Sequence, residues 1–284
     1  MSKFITAGIK IAGFGLVLLV LLFPPALAAS TLEDIKAKGE MNIGIANSPP
    51  YAWMDKDGKT TGAVYDILRA TAIKMGIPQV KVTVVEWGAL IPGLQAKRFD
   101  AIAAGLYVRD DRCKIILFGE PDVCDREGFI VRKGNPKEIT SFAKLAVTPS
   151  AKIGFSPGTS TERYCIAARV PKDQMVPVDH YTTGMALLDQ GRIDVMAGPM
   201  ISLRQGLKQF SKEGNYEIAG PFPESPTACS AVGFRMGDEE FRDAYNKAYE
   251  AVKKSGEFEK IMRSYNLDPS VTFTTNTATL CAPK

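Results

Sequence analysis

The chain has 284 residues, of which 45% are hydrophobic and 23% charged, with a formal net charge of +4. The length allows two modest domains or one large one. The charge is too small and too scattered for a nucleic-acid surface, which needs Lys and Arg clustered on one face.

The first segment sets the compartment. Lys3 and Lys10 flank a basic start, Ile11 to Phe23 is unbroken apolar sequence, and Pro24 and Pro25 lead into Ala26-Leu27-Ala28. A basic start, a short apolar core and an A-x-A triplet describe a secretory signal peptide over residues 1–28, cleaved after Ala28. An uncleaved anchor would need about 20 apolar residues, and the proline pair and small residues argue against it. No cysteine follows the cleavage site, so lipid anchoring there is unsupported. The mature protein is expected in the periplasm. Disulfides are permitted there, and all five cysteines (113, 124, 165, 229 and 281) fall in the mature chain. An odd count leaves one thiol free or paired between chains, and the absence of C-x-x-C argues against a zinc or thioredoxin-like motif.

Short β-like runs then alternate with amphipathic helices. Met41 to Ala46 reads as a strand, "AVYDILRATAIKMG" as a helix stopped at Gly76, and "KVTVVEW" as a second strand ending on Trp87. "LIPGLQAKR" is helical with a proline in its first turn, and "AIAAG" is a third strand, apolar as a strand buried on both faces must be. This βαβαβ order predicts a parallel-rich sheet covered by helices. An extended run from Gly128 to Arg132 precedes a second series: strand "KIGFS", helix "GTSTERYCIAARV", strand "MVPV", helix "YTTGMALLDQG", strand "DVMAG" and helix "MISLRQGLKQF". Another extended run, Cys229 to Met236, leads to two closing helices, and the Thr-, Ala- and Pro-rich tail after Asp268 is expected to be loosely held. The reading is α/β, with two lobes joined by a two-stranded hinge. The first lobe takes residues 29–125 and 230–284, the second 126–229. The segments near Cys124 and Cys229 would run side by side, which motivates a bridge between them.

In open α/β sheets ligands sit beyond the carboxyl ends of the strands. Tyr51, Trp87 and Tyr107 all fall at such ends in the first lobe, and Arg112 follows closely. An arginine fork binds a carboxylate through paired charge-assisted hydrogen bonds. Aromatic faces attract a cation by roughly 0.5–2 kcal/mol each. Together they fit a small zwitterion. The same residues also read as core aromatics and a solvated surface charge. In the second lobe, Gly158 followed by Thr159, Ser160 and Thr161 opens a helix, either as an anion site or as simple capping. Catalytic constellations are thin. His180 is the single histidine, in a polar loop where exposure or capping is expected. There is no G-x-S-x-G, no metal-ligand spacing and no phosphate loop, so no cofactor is expected.

Several stretches together carry a resemblance: "MNIGIANSPPYAWMDKDGKTTGAVYDI", "EWGALIPGLQAKRFDAIAAGLYVRDDRC", "FGEP", "GRIDVMAG" and the closing helices. The chain resembles family 3 extracellular solute-binding proteins, the amino-acid-type receptors of ABC importers. Its block from Glu86 to Cys113 most resembles the ectoine- and hydroxyectoine-binding members. The resemblance implies a type II periplasmic binding protein that closes around its ligand by hinge motion, docks on a membrane permease and works as a monomer. It makes Tyr51, Trp87 and Tyr107 the aromatics around a cationic group and Arg112 the carboxylate partner. Gly105 becomes a backbone contact, with Thr159 and Ser160 at the second-lobe helix start.

Two departures bear on the ligand. Where α-amino-acid binders often place an acid after the "GRxD" strand, this chain has Pro199. Where ectoine binders carry a glutamate before the first aromatic, it has Ser48. An amidinium left without an acceptor in a closed site would cost about 1–3 kcal/mol. The ligand expected is therefore ectoine or hydroxyectoine first, with a betaine or an amino-acid derivative close behind. The rival readings are a cyclohexadienyl dehydratase-like enzyme on the same fold, which an acid inside the cleft would favour, and a ligand-sensing protein.

Overall fold

In the strand Glu40–Ile45, Met41, Ile43 and Ile45 recur at period two and all are fully buried. The computed structural model describes residues 30–210 and 213–282 of the chain, and the expected signal peptide lies outside the described residues. Glu40–Ile45 lies between Gln79–Val84 and Ala101–Ile102, parallel to both. Gly233–Phe234 returns from far along the chain to pair antiparallel with Ala101–Ile102, and Leu117–Phe118 closes the edge. One face of this sheet packs Ile43, Ile67, Leu68, Phe234, Tyr245 and Tyr249. The other packs Leu90, Leu94, Phe99, Ile102 and Phe118.

The second sheet runs in the order Met175–Pro177, Ile153–Phe155, Val195–Pro199, Glu127–Arg132, Tyr216–Ala219. Glu127–Arg132 is antiparallel to both neighbours and buried on both faces. Its Phe129 and Val131 enter one apolar cluster while Ile130 enters the other. The helices fall where the periodicity puts them: Ala63–Lys74, Ser160–Ala167, Tyr181–Asp189, Met200–Gln209, Glu239–Lys254 and Glu257–Ser264.

Between the sheets, Cys124–Asp125 pairs antiparallel with Ala228–Cys229. Cys124 and Cys229 face each other in this crossing and are bonded through sulfur. A second disulfide joins Cys113 to Cys281, 168 residues apart, leaving Cys165 as a buried free thiol. This second bridge corrects the expectation of a loose tail. Residues after Asp268 form a turn, Ser270–Thr274, and a helix, Thr277–Cys281. Thr272 donates to the carbonyl of Asp122 and Thr277 to that of Gly119, so the tail is laced onto the first lobe. Its Thr-rich composition hides these contacts because hydroxyls serve backbone carbonyls as readily as water.

Candidate functional site

The first sheet delivers three aromatic residues to one rim, by routes that differ from the sequence reading in one case. The second strand stops at Val84, and Trp87 opens a short 3-10 turn, Trp87–Ala89, instead of ending the strand. Its ring still reaches the cleft. Tyr51 is positioned by a chain that bends back after Ile45, and the space for its ring is made by Gly105. Gly105 has φ +74°, and a Cβ there would lie 2.4 Å from Cγ of Tyr51. Only glycine accepts both the left-handed backbone and the contact. The Tyr51 and Tyr107 hydroxyls are 3.2 Å apart, and both side chains are buried. Burial holds both phenols well above their ordinary pKa, helped by Asp125 at Tyr51 and by Tyr51 and then Asp125 at Tyr107, so they stay neutral hydrogen-bonding groups.

Arg112 sits in the one-turn helix Asp110–Cys113 and is 4% exposed. Its Nη1 donates to the carbonyl of Tyr107 at 2.8 Å, and its Nη2 crosses to the carbonyl of Gly158 in the second lobe at 2.9 Å. The guanidinium lies 6.0 Å from the centre of the Trp87 ring. Burial, then repulsion from Arg109, draws its pKa down to about 9, so it remains charged at pH 7. The two bonds to carbonyls fix the guanidinium plane, and a guanidinium has further N–H groups to offer. Arg109 takes a different role. It pairs with Asp111 through Nε and Nη2 at 3.0 and 2.8 Å, on the rim of a neighbouring depression.

The second lobe presents the helix Ser160–Ala167 end-on. Thr159 occupies its N-cap position but does not cap it; its hydroxyl donates to the carbonyl of Ser156 at 2.6 Å. Glu162 accepts instead from the Gly158 amide at 2.7 Å. His180 is exposed at the N-cap position of the next helix and away from the cleft cavity.

All seven residues singled out from the sequence, Tyr51, Trp87, Gly105, Tyr107, Arg112, Thr159 and Ser160, line one interlobe cavity, whose empty volume is about 560 Å³ counted to its open mouth. Ser48 and Pro199 line it too. Ser48 turns its hydroxyl to the carbonyl of Ala46 at 3.3 Å.

Several lining residues were not singled out from the sequence, Tyr181 and Ser202 among them, and the one that carries a carboxyl is Glu127, which is 2% exposed. It starts the strand Glu127–Arg132 on the same side as Phe129 and Val131, and its partner across the ladder is Pro199. Its Oε2 accepts from Thr161 Oγ1 at 2.6 Å, and its amide donates to Ser225 Oγ at 2.6 Å. Burial pushes its pKa up to about 7, against the Thr161 bond and with help from Asp125. Asp125 itself is raised to about 6 by burial, opposed by hydrogen bonds from the Ile201 and Arg126 amides and by Arg204. A lone acid immediately before a fully apolar β run was the available signal.

Two α/β lobes joined by a two-stranded crossing, with a cavity between them lined by aromatics, an arginine and hydroxyls, define a type II periplasmic binding protein. Residues 41–268 match the bacterial extracellular solute-binding proteins, family 3, and the chain belongs to that family. It is 30% identical over 276 residues to a probable amino-acid ABC transporter periplasmic-binding protein of Sinorhizobium fredii, covering 94% of this chain and 90% of that protein. It is 26% identical over 256 residues to an L-arginine-binding protein of Pseudomonas aeruginosa, covering 87% and 95%. Among solved structures it is similar to EhuB in complex with hydroxyectoine, with a TM-score of 0.86, 37% identity, and coverage of 89% of this chain and 98% of that one. Among the described residues no helix is long and apolar enough to cross a membrane.

Proposed function

We propose that the chain is the periplasmic receptor of an ABC importer. It would be exported through a cleavable signal peptide and work as a monomer that delivers its ligand to a membrane permease. Its ligand on this reading is a small zwitterion of the ectoine or hydroxyectoine kind, with betaines and amino-acid derivatives as the neighbouring class. The carrying observation is that Arg112 and the faces of Tyr51, Trp87 and Tyr107 share one interlobe cavity. The likeness to EhuB, whose structure holds hydroxyectoine, supports the same reading.

The test is a thermal-shift titration of protein stripped of ligand by unfolding and refolding. The panel is ectoine, hydroxyectoine, glycine betaine, proline betaine and the common amino acids. A ligand at a thousand times its Kd adds about 4 kcal/mol, or roughly 8–16 °C at this chain length. Shifts with zwitterions are expected, and no shift across the panel would reject the reading.

A second reading has one observation in its favour. Glu127 is an acid in the cleft with its pKa near neutrality, as a general acid requires. A dehydratase-like enzyme acting on carboxylated rings would turn over a carboxylated cyclohexadiene. Product analysis after overnight incubation decides between turnover and binding alone.

A further inference from the structure

Arg112 and Glu127 are both buried, both line the same cavity and form no ion pair with each other. The charges acting on Arg112 are those of Arg109, Asp111 and Arg163. Glu127 acts instead on Tyr51, Tyr107, Tyr164, Cys165 and Tyr181. The two charged side chains are held by different partners in the lining, Arg112 by the carbonyls of Tyr107 and Gly158 and Glu127 by Thr161, with the Tyr51 and Tyr107 side chains also present. Thr161 satisfies Oε2 of Glu127, and among the described residues no protein donor meets Oε1. Oε1 is not among the fully buried polar atoms left without a partner, so it reaches the cavity space and is open to a donor that enters there.

The register says what this carboxylate replaces. Pro199 stands where an acid often serves an α-ammonium group, and Glu127 is its direct neighbour on the adjacent antiparallel strand. Ser48, at the other position where an acid was expected, has its hydroxyl committed to Ala46. An acceptor absent from both expected positions is present on the strand beside Pro199, in the lining of the same cavity.

We infer that Glu127 accepts hydrogen bonds from the cationic end of the ligand, so that the site selects zwitterions whose cation carries N–H donors over fully methylated, quaternary ones. The inference rests on the zwitterion-receptor reading and narrows it. A quaternary ammonium can lie against the tyrosine faces but gives Oε1 nothing. A missing hydrogen bond to a charged group corresponds to about ten- to a hundredfold in affinity.

The same arrangement makes binding depend on pH. Facing Glu127 are Asp125 from its own segment, Tyr164 and Cys165 from the helix Ser160–Ala167, Tyr181 from the next helix, and Tyr51 and Tyr107 from the first lobe. Burial raises the tyrosines and the thiol, so they stay neutral, and Asp125, at about 6, is the other group that titrates nearby. A cationic ligand favours ionised Glu127. Affinity should therefore be full above pH 7 and weaken about tenfold per unit below it.

Calorimetric titration of the stripped protein with ectoine, L-proline and proline betaine tests this, because the last two differ only in N-methylation. An N–H-bearing zwitterion is expected to bind at least about tenfold tighter than proline betaine. Glu127→Gln should cost that ligand about ten- to a hundredfold and proline betaine less than about threefold. It should also shrink the loss of affinity between pH 7.5 and pH 5. Proline betaine binding as tightly as its N–H counterparts, an unchanged Glu127→Gln affinity, or a flat wild-type pH profile would each overturn the inference and leave the receptor reading standing. The methylation pair and the wild-type pH series decide the matter even where Glu127→Gln fails to fold. Failure of wild type to bind any of the three at millimolar concentration, with no shift across the full zwitterion panel, would instead reject the zwitterion reading, and the inference with it.

Discussion

The two walls of the cleft are built from different chemistry. The first-lobe wall is aromatic and cationic: Tyr51, Trp87, Tyr107 and Arg112. It is also tied down, since Arg112 shares its short helix with Cys113, which is bridged to the tail at Cys281. The second-lobe wall is mostly hydroxyls, with one acid and one tyrosine: Ser156, Thr159, Ser160, Thr161, Ser202, Glu127 and Tyr181. The buried cation and three of the four aromatics come from one side, the carboxylate and most of the hydroxyls from the other, so on the proposed reading each wall would hold one end of the zwitterion. Side-chain bonds join the two walls at Arg112 to the Gly158 carbonyl, Ser202 to the Pro49 carbonyl and Arg163 to Asp111, and the first of these places the cationic group where the lobes meet.

The sharpest way to break this contrast is at Arg112. Arg112→Lys keeps the charge but loses the fork that spans Tyr107 and Gly158. Affinity should fall about a hundredfold, near 2.7 kcal/mol, as read by calorimetry. A loss of less than threefold would mean that the anionic end of the ligand lies elsewhere.

In stability, the largest expected effect is the response of the empty protein to pH. Asp122 in the first lobe, Asp125 at the crossing and Glu127 in the second lobe are each raised by burial, to about 6, 6 and 7. A carboxyl raised in the folded state binds more protons folded than unfolded, between its unfolded and folded pKa values. Stability therefore falls as pH rises through that window. Urea unfolding should show the unliganded protein more stable at pH 5 than at pH 7.5 by on the order of 5 kcal/mol. Glu127→Gln should remove only part of the difference, because Asp122 is untouched. A protein equally stable at both values would contradict the burial assigned to all three. The smallest effect belongs to Trp87→Ala, which should weaken binding about tenfold by removing one aromatic face. An unchanged Kd would make Trp87 a lid over Arg112 and not part of the site.

The sequence carried the first-lobe wall well and the second-lobe acid poorly, for a physical reason. Tyr51, Trp87 and Tyr107 follow β-branched or small apolar runs, so strand-end logic places them together before any contact is known. Trp87 survived a misread boundary, because a short turn after Val84 still carries it to the rim. Glu127 becomes a cleft residue only through its pairing with Pro199, a long-range register that one sequence does not display. The bridge at the crossing was legible because two extended segments had to run side by side. The Cys113–Cys281 bridge was not, because nothing local ties a threonine-rich tail to the Arg112 helix.

The placement of the tryptophans has a practical consequence. The chain has two, and Trp53 packs edge-on to Tyr265 with ring centroids 6.1 Å apart, outside the cleft lining. Trp87 is in that lining, 6.0 Å from a buried guanidinium. A molecule that enters the cavity changes the polarity and the quenching around one indole while the other serves as an internal reference. The native chain is thus its own fluorescent indicator, and ligand arrival can be followed in stopped-flow mixing without attaching a dye.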